Sequence, residues 1–218
     1  MIITRRGGAF AVLLLASGLL QAAGNADRGA TIVMQGEGQG GAPCLACHGN
    51  DGAGNDGAGF PRLAGLNAGY LAAQLRDYRE GRRTNVIMAP NAAHLSDQQI
   101  EDVAAYYAMQ NVVAKPAEQP ADLLAQGEKL VKQGDWDNYI VPCETCHGPG
   151  AQGVGATFPG LSGQHPSYLR QQLEAWKNGT RTNDPNQLML AIAARLSDEQ
   201  IQAVSAYLSQ LPTSGGKP

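Results

Sequence analysis

Apolar positions in this chain recur at helical spacing in two long stretches that resemble one another. Ile100, Val103, Ala104 and Tyr107 follow Ser96-x-x-Gln99, and Ile201, Val204, Ser205 and Leu208 follow Ser197-x-x-Gln200. Steps of three and four residues place each set on one helix face. The Ser-x-x-Gln pairs are capping boxes that mark where those helices begin. The stretches from Asn67 to Glu80 and from His165 to Asn178 predict two more helices. Their apolar faces are Tyr70, Leu71, Leu75 and Tyr78, and Tyr168, Leu169, Leu173 and Trp176. Shorter helices are predicted at Arg28–Gln35 and Asp122–Gln133. Glycine-rich stretches such as Gly49 to Gly59 show no two-residue alternation, so the pattern predicts an all-α fold.

The N-terminus has a different pattern. Arg5 and Arg6 precede an apolar run, Ala9 to Leu20, which small residues follow at Ala22, Ala23 and Gly24. Positive, apolar and small in that order is the layout of a cleaved secretory signal peptide. A run of this length falls short of the roughly 20 residues a membrane span needs. We read residues 1–24 as a signal peptide cut between Ala22 and Ala26, which implies export to the periplasm. A buried N-terminal helix and an uncleaved anchor are the alternatives. Without Arg5 and Arg6 the mature chain is mildly acidic.

The rest of the chain is written twice. Pro43-Cys44-Leu-Ala-Cys47-His48-Gly49 returns as Pro142-Cys143-Glu-Thr-Cys146-His147-Gly148. Phe60-Pro61, Tyr70-Leu71, Gln74-Leu75, Gly81 and Arg83-Thr84-Asn85 return in the same order as Phe158-Pro159, Tyr168-Leu169, Gln172-Leu173, Gly179 and Arg181-Thr182-Asn183. Repeats of this length are tandem domains rather than a stacked solenoid. Lys115-Pro116 and Gln119-Pro120 interrupt any helix between them. The division predicted is 25–113, a linker at 114–121, and 122–218.

Composition adds one anomaly. Of the 194 residues from Asn25 onward only 34 are Leu, Ile, Val or Phe. That is low for a folded chain with so small a net charge, formally −3. Either Ala and Gly let helices pack unusually closely, or a non-protein group completes the core. The net charge also argues against a nucleic-acid partner.

The four cysteines supply the group. All lie in Cys-x-x-Cys-His, at Cys44/Cys47/His48 and Cys143/Cys146/His147. This is the attachment signature of c-type haem. Two thiols two residues apart add to the two vinyl groups, and the next imidazole reaches the iron. Two disulfides, a redox dithiol or a zinc site would also use cysteine pairs. None of them explains a histidine next to the second cysteine in both copies.

The sixth iron ligand decides what such a haem does. Met88 and Met189 lie eight residues before Ser96 and Ser197, a matched pair. A thioether there suits an electron-shuttling iron, although a methionine near a helix start is also ordinary packing. Met34 and Met109 have no methionine counterpart. His94 and His165 are likewise unmatched, opposite Arg195 and Asn67.

On these motifs the chain resembles class I cytochromes c, and more closely the dihaem cytochrome c4 family. Besides the haem motifs, the resemblance is carried by Phe60-Pro-Arg-Leu-Ala-Gly65 with Phe158-Pro-Gly-Leu-Ser-Gly163 and by the Tyr-Leu…Gln-Leu helices. It implies two class I cytochrome c domains, each wrapped around one covalent haem and related by a pseudo-twofold. It implies Met88 and Met189 as sixth ligands, and carbonyls of Pro61 and Pro159 on the proximal histidine rings. Gly29 and Gly127 would mark close helix crossings near Tyr106 and Tyr207. The loop from Asn85 to Met88 is three residues shorter than that from Asn183 to Met189, which leaves its detailed geometry open.

The function this implies is electron transfer without enzymatic activity. A periplasmic dihaem cytochrome would carry electrons from respiratory donors, such as a quinol-oxidising cytochrome complex, to a membrane-bound terminal oxidase or a reductase. Contact with the membrane would then be peripheral and through the partner. A dedicated cytochrome subunit of a larger dehydrogenase, such as a sulfide-oxidising flavoprotein, is the alternative. A dihaem peroxidase ranks below both, because it needs an open iron site. Arg76, Arg79, Arg82 and Arg83 are expected to form either a solvated helix face or a basic patch steering an acidic partner.

Overall fold

The computed structural model describes residues 23–213, so the predicted signal peptide lies almost wholly outside the described residues. Among the described residues ten α-helices run in two sets of five. The first set is α1 (Ala26–Gln35), α2 (Leu45–His48), α3 (Ala68–Arg79), α4 (Met88–Ala92) and α5 (Asp97–Met109). The second is α6 (Ala121–Gln133), α7 (Glu144–His147), α8 (Pro166–Lys177), α9 (Leu188–Ala193) and α10 (Asp198–Gln210). Only isolated bridges, such as Asn55–Phe60 and Val154–Phe158, stand for β-structure among the described residues. No described helix is long and apolar enough to cross a membrane.

Local chemistry sets the helix ends where the sequence places them. The Ser96 and Ser197 hydroxyls accept from the N–H groups of Gln99 and Gln200. Those glutamines accept in return from the serine N–H groups at 2.9 Å, closing both capping boxes. Asn67 caps α3 through Tyr70 N–H, whereas α8 opens on Pro166, whose fixed φ suits the first turn.

Each unit is built on one crossing of its first and last helices. A Cβ added at Gly29 would stand 2.0 Å from the Asp102 carbonyl oxygen, and one at Gly127 would stand 2.2 Å from that of Ala203. Tyr106 and Tyr207 flank the two contacts, as the family resemblance implied. Only hydrogen fits at either glycine. In the first unit Asp102 locks the crossing. Its carboxylate accepts from Arg28 Nε at 2.7 Å and Nη2 at 2.9 Å, from Asn25 N–H at 2.7 Å and from Gln98 Nε2 at 2.9 Å. Ala203 stands at the matching place in the second unit, which has no such lock.

Around these crossings lie modest apolar clusters. Val33, Ile100, Val103 and Tyr107 centre the first, and Val131, Val204 and Leu208 centre the second, with Ile140, Leu196 and Ile201 beside it. The segment after α5 is non-helical, as its prolines predict. It is tied to the second unit by Gln210 Nε2 on Ala117 O and Thr213 Oγ1 on Val112 O.

Gly127→Val drives a side chain into α10 backbone, and we expect a loss of about 2–4 kcal/mol in chemical denaturation, at or above the usual overpacking cost. Asp102 gives a pH-dependent test. Burial alone would raise its pKa, but the bonds from Arg28, Asn25 and Gln98 outweigh that and hold it below the usual carboxylate range. The stabilisation is therefore fully present above about pH 4, the ordinary aspartate pKa, and fades in stronger acid. The stability gap between wild type and Asp102→Asn, followed by thermal melting, should be constant from pH 7 to 5 and close at lower pH.

Candidate haem sites

Both Cys-x-x-Cys-His motifs fold as a single helical turn. In each, the first cysteine caps the turn and the histidine ends it on a glycine of positive φ, 77° at Gly49 and 76° at Gly148. This turn carries both thiols and the imidazole to one surface. The histidines are buried, and each Nδ1 meets a proline carbonyl: His48 on Pro61 O at 3.1 Å, His147 on Pro159 O at 2.8 Å. A carbonyl only accepts, so each Nδ1 carries the proton and each Nε2 keeps a free lone pair. Burial lowers both histidine pKa values, against the carbonyl bond that raises them, which favours the neutral ring that can bind a metal. Phe60 and Phe158 stand beside the rings at centroid distances of 6.3 and 6.2 Å.

All four thiols are unpaired. Burial pushes the Cys44 and Cys143 thiols up to about 11. Redox dithiols need the opposite, a thiol acidified by its surroundings.

The methionine loops solve one problem in two ways. In the first unit Asn85 Oδ1 accepts from the N–H groups of Ile87 and Met88, both at 2.9 Å. In the second the Asp184 carboxylate accepts from Met189 at 2.8 Å and Leu190 at 3.3 Å. The three extra residues form a tight turn at Pro185–Gln187, with Asn186 and Gln187 at φ 60° and 57°. Met88 opens α4 and Met189 is the second residue of α9, each eight residues before the next capping serine.

Cys44, Cys47, His48, Met88, Cys143, Cys146, His147 and Met189 all line one cavity of about 1150 Å³ that runs through both units. Close-packed protein interiors tolerate no void of that size. Its wall is largely apolar, with Leu71, Leu75, Tyr78 and Val103 from one unit and Leu173, Trp176, Val204 and Leu208 from the other. The shortage of large apolar residues is thus a shortage at the centre. Free thiols, lone-pair imidazoles, thioethers and apolar walls fit two covalently held haems.

Between the two halves lies a polar girdle. Arg83 donates from Nη1 to Gln74 Oε1 at 2.9 Å, and from Nη2 to Gln172 Oε1 at 2.7 Å and Tyr168 OH at 3.0 Å. Arg181 donates to Gln172 Oε1 at 2.8 Å and Gln74 Oε1 at 3.1 Å, closing a ring across the units. The guanidiniums lie over Tyr78 and Trp176, at 4.7 and 4.0 Å from the ring centroids. Asn183 Nδ2 adds a bond to Asp77 Oδ2 at 2.6 Å. His165, an ordinary polar position in the sequence, donates from Nε2 to Ala53 O at 2.9 Å across the same boundary.

The arginine cluster is corrected by these contacts. Arg83 is buried in the girdle, Arg76 pairs with Glu101, Arg79 with Asp97 and Arg82 with Asp77 and Glu80. Arg83 therefore leaves the group, and the other three keep solvent contact, with Arg82 about half exposed, but each is paired locally, so they make no free basic patch. The girdle's signal was visible as the repeated Gln-Leu and Arg-Thr-Asn landmarks, but nothing in them said that the two copies meet.

Truncating Gln172 to Leu leaves two buried guanidiniums short of an acceptor at the unit boundary. Unsatisfied buried donors cost about 1–3 kcal/mol each, more when charged. The expected outcome is a thermal midpoint lower by several degrees, with unfolding split into two steps in calorimetry.

The family model described as Cytochrome c matches residues 26–109 and again 124–212. The chain is 47% identical over 177 residues to the thiosulfate dehydrogenase electron acceptor of Thiomonas intermedia (strain K12), covering 81% of this chain and 82% of that protein. The reduced recombinant cytochrome c4 from Pseudomonas stutzeri superposes with a TM-score of 0.76 at 38% identity, over 87% of this chain and all of that one. The as-isolated thiosulfate dehydrogenase of Marichromatium purpuratum gives a TM-score of 0.79 at 41% identity over 85% of this chain. The match spans only 40% of that larger protein.

Proposed function

This chain belongs to the cytochrome c family as a dihaem electron carrier of the cytochrome c4 type, and we propose that it accepts electrons from a thiosulfate-oxidising dehydrogenase in the periplasm. It carries two covalent haem c groups. The likeness to the Thiomonas acceptor carries the finer reading, because it extends over about four fifths of both chains. The dehydrogenase reading was the alternative at the sequence level. It moves ahead of a general respiratory carrier, with thiosulfate in place of sulfide. Onward delivery is to a terminal oxidase or reductase.

In this reading Cys44 and Cys47 attach the first haem, and Cys143 and Cys146 the second. His48 with Met88, and His147 with Met189, would hold the two irons. When bound, each haem iron takes up and releases one electron. The Pro61 and Pro159 carbonyls fix the imidazoles and strengthen them as donors. Asn85 and Asp184 hold the methionine loops closed, so neither iron is left open to a substrate. The apolar walls keep water from the macrocycles, and the girdle holds the two units in one arrangement. The domains are 25–113 and 122–218, joined by 114–121, and export relies on residues 1–24.

The direct test mixes the oxidised haem-loaded protein with thiosulfate and a catalytic amount of thiosulfate dehydrogenase. The reduced α-band should grow at a rate set by enzyme concentration. No growth, in protein that dithionite reduces fully, rejects the partner. The ligand assignment has its own test. Reduced wild type should bind no carbon monoxide, whereas Met189→Ala should bind one equivalent per chain.

A further inference from the structure

The two units differ by one buried charge that no opposite charge pairs. Arg62 directly follows the proline whose carbonyl holds His48, and the matching residue of the second unit is Gly160. Arg62 is 2% exposed and lines the cavity. Its side chain crosses into the second unit, where Nε donates to Gly163 O at 3.2 Å and Nη2 to Ser162 O at 2.9 Å. Nη1 donates to Ala64 O in its own unit. The backbone is bolted too. Arg62 N–H donates to Gln164 Oε1 and Gln164 Nε2 donates to Arg62 O, both at 2.8 Å.

Every acceptor around this guanidinium is a neutral oxygen, and no carboxylate pairs with it among the described residues. Carbonyl dipoles solvate the cation but leave its net charge in place. The other buried arginines, Arg83 and Arg181, sit at matching positions and serve both units alike. Asp77 and Asp102 are also confined to the first unit, but Arg82 offsets the one at 2.8 Å and Arg28 the other at 2.7 Å. The uncompensated asymmetry is therefore Arg62.

An oxidised haem carries one more positive charge than a reduced one. A fixed cation in a poorly polarisable interior disfavours the oxidised form of the nearer haem. We propose that Arg62 raises the reduction potential of the first haem, biasing the shared electron toward it, and that the loop of the second unit makes this possible by burying the charge. Arg62 is thus a tuning residue that acts through space and through its neighbour Pro61. The inference rests on the reading of His48 and Met88 as ligands of the first haem.

The test is a spectroelectrochemical titration of the haem-loaded chain, with the two haems distinguished by the paramagnetically shifted methyl signals of partly reduced samples. Arg62→Met should shift electron sharing away from the first haem at least threefold, with the potential of the second unchanged. Arg62→Lys should stay within twofold of wild type. Gln164→Leu cuts the same bolt without removing charge. It should lower the melting temperature and leave electron sharing within twofold. Gln164→Glu places a negative charge on the same cavity wall, against the Arg62 backbone, and should lower the first haem's share as Arg62→Met does if that variant does not fold. An unchanged ratio in both Arg62→Met and Gln164→Glu, or an equal shift in Gln164→Leu, overturns the proposal. Carbon monoxide binding by the unmutated chain would instead indict the ligand assignment on which it rests.

Discussion

First helix and last helix touch backbone to backbone in each unit, and the whole arrangement hangs on that contact. With glycine at 29 and 127 the helices cross with almost nothing between them. The crossing closes one end of the unit so tightly that the short helical turn carrying the thiols is fixed to its rim. The remaining helices then stand around a space rather than fill it. Few large apolar side chains are needed, because the macrocycle is the largest apolar body in each unit. The low aliphatic content and the small glycine contact are two sides of one design: dense at the crossing, open at the centre.

Duplication repeats the scaffold, but not every device on it. Asp102 clamps the first crossing with four bonds while Ala203 leaves the second to packing alone. Asn85 closes one methionine loop and Asp184 the other, and the displaced Asn183 serves the unit boundary instead. Such differences leave the attachment geometry equal and give the two haems unequal surroundings. A carrier of two electrons with distinguishable sites needs that inequality.

Helices, caps and the turns of the haem motifs were legible in the sequence because each rests on short-range spacing, and the paired methionines both line the cavity those motifs face. The two capping boxes, and the helix over 68–79 expected at Asn67–Glu80, depend on residues three or four apart. Glycine at the crossings was legible only through resemblance, since its reason is a helix some 75 residues away. The arginines from 76 to 83 were legible as charges but not as pairs, because composition shows charge without its partners. Asp97, Glu101 and Asp77 neutralise three of them, and Arg83 turns inward. The role of Arg62 left no trace, because it lacks a repeat and two of its three side-chain acceptors are backbone oxygens a hundred residues on.

The ring of Arg83, Gln172, Arg181 and Gln74 has a further meaning. Each unit offers one arginine and one glutamine, and each arginine bonds to both glutamines. A surface that presents donor and acceptor in this way is complementary to itself, the property that defines an isologous contact between identical subunits. The boundary between the two units therefore has the form of a homodimer interface enclosed in one chain. The linker replaces a concentration-dependent encounter with a high local concentration of the partner. With association no longer won from dilute solution, each side is free to differ, and Arg62 opposite Gln164 is one place where the symmetry is broken.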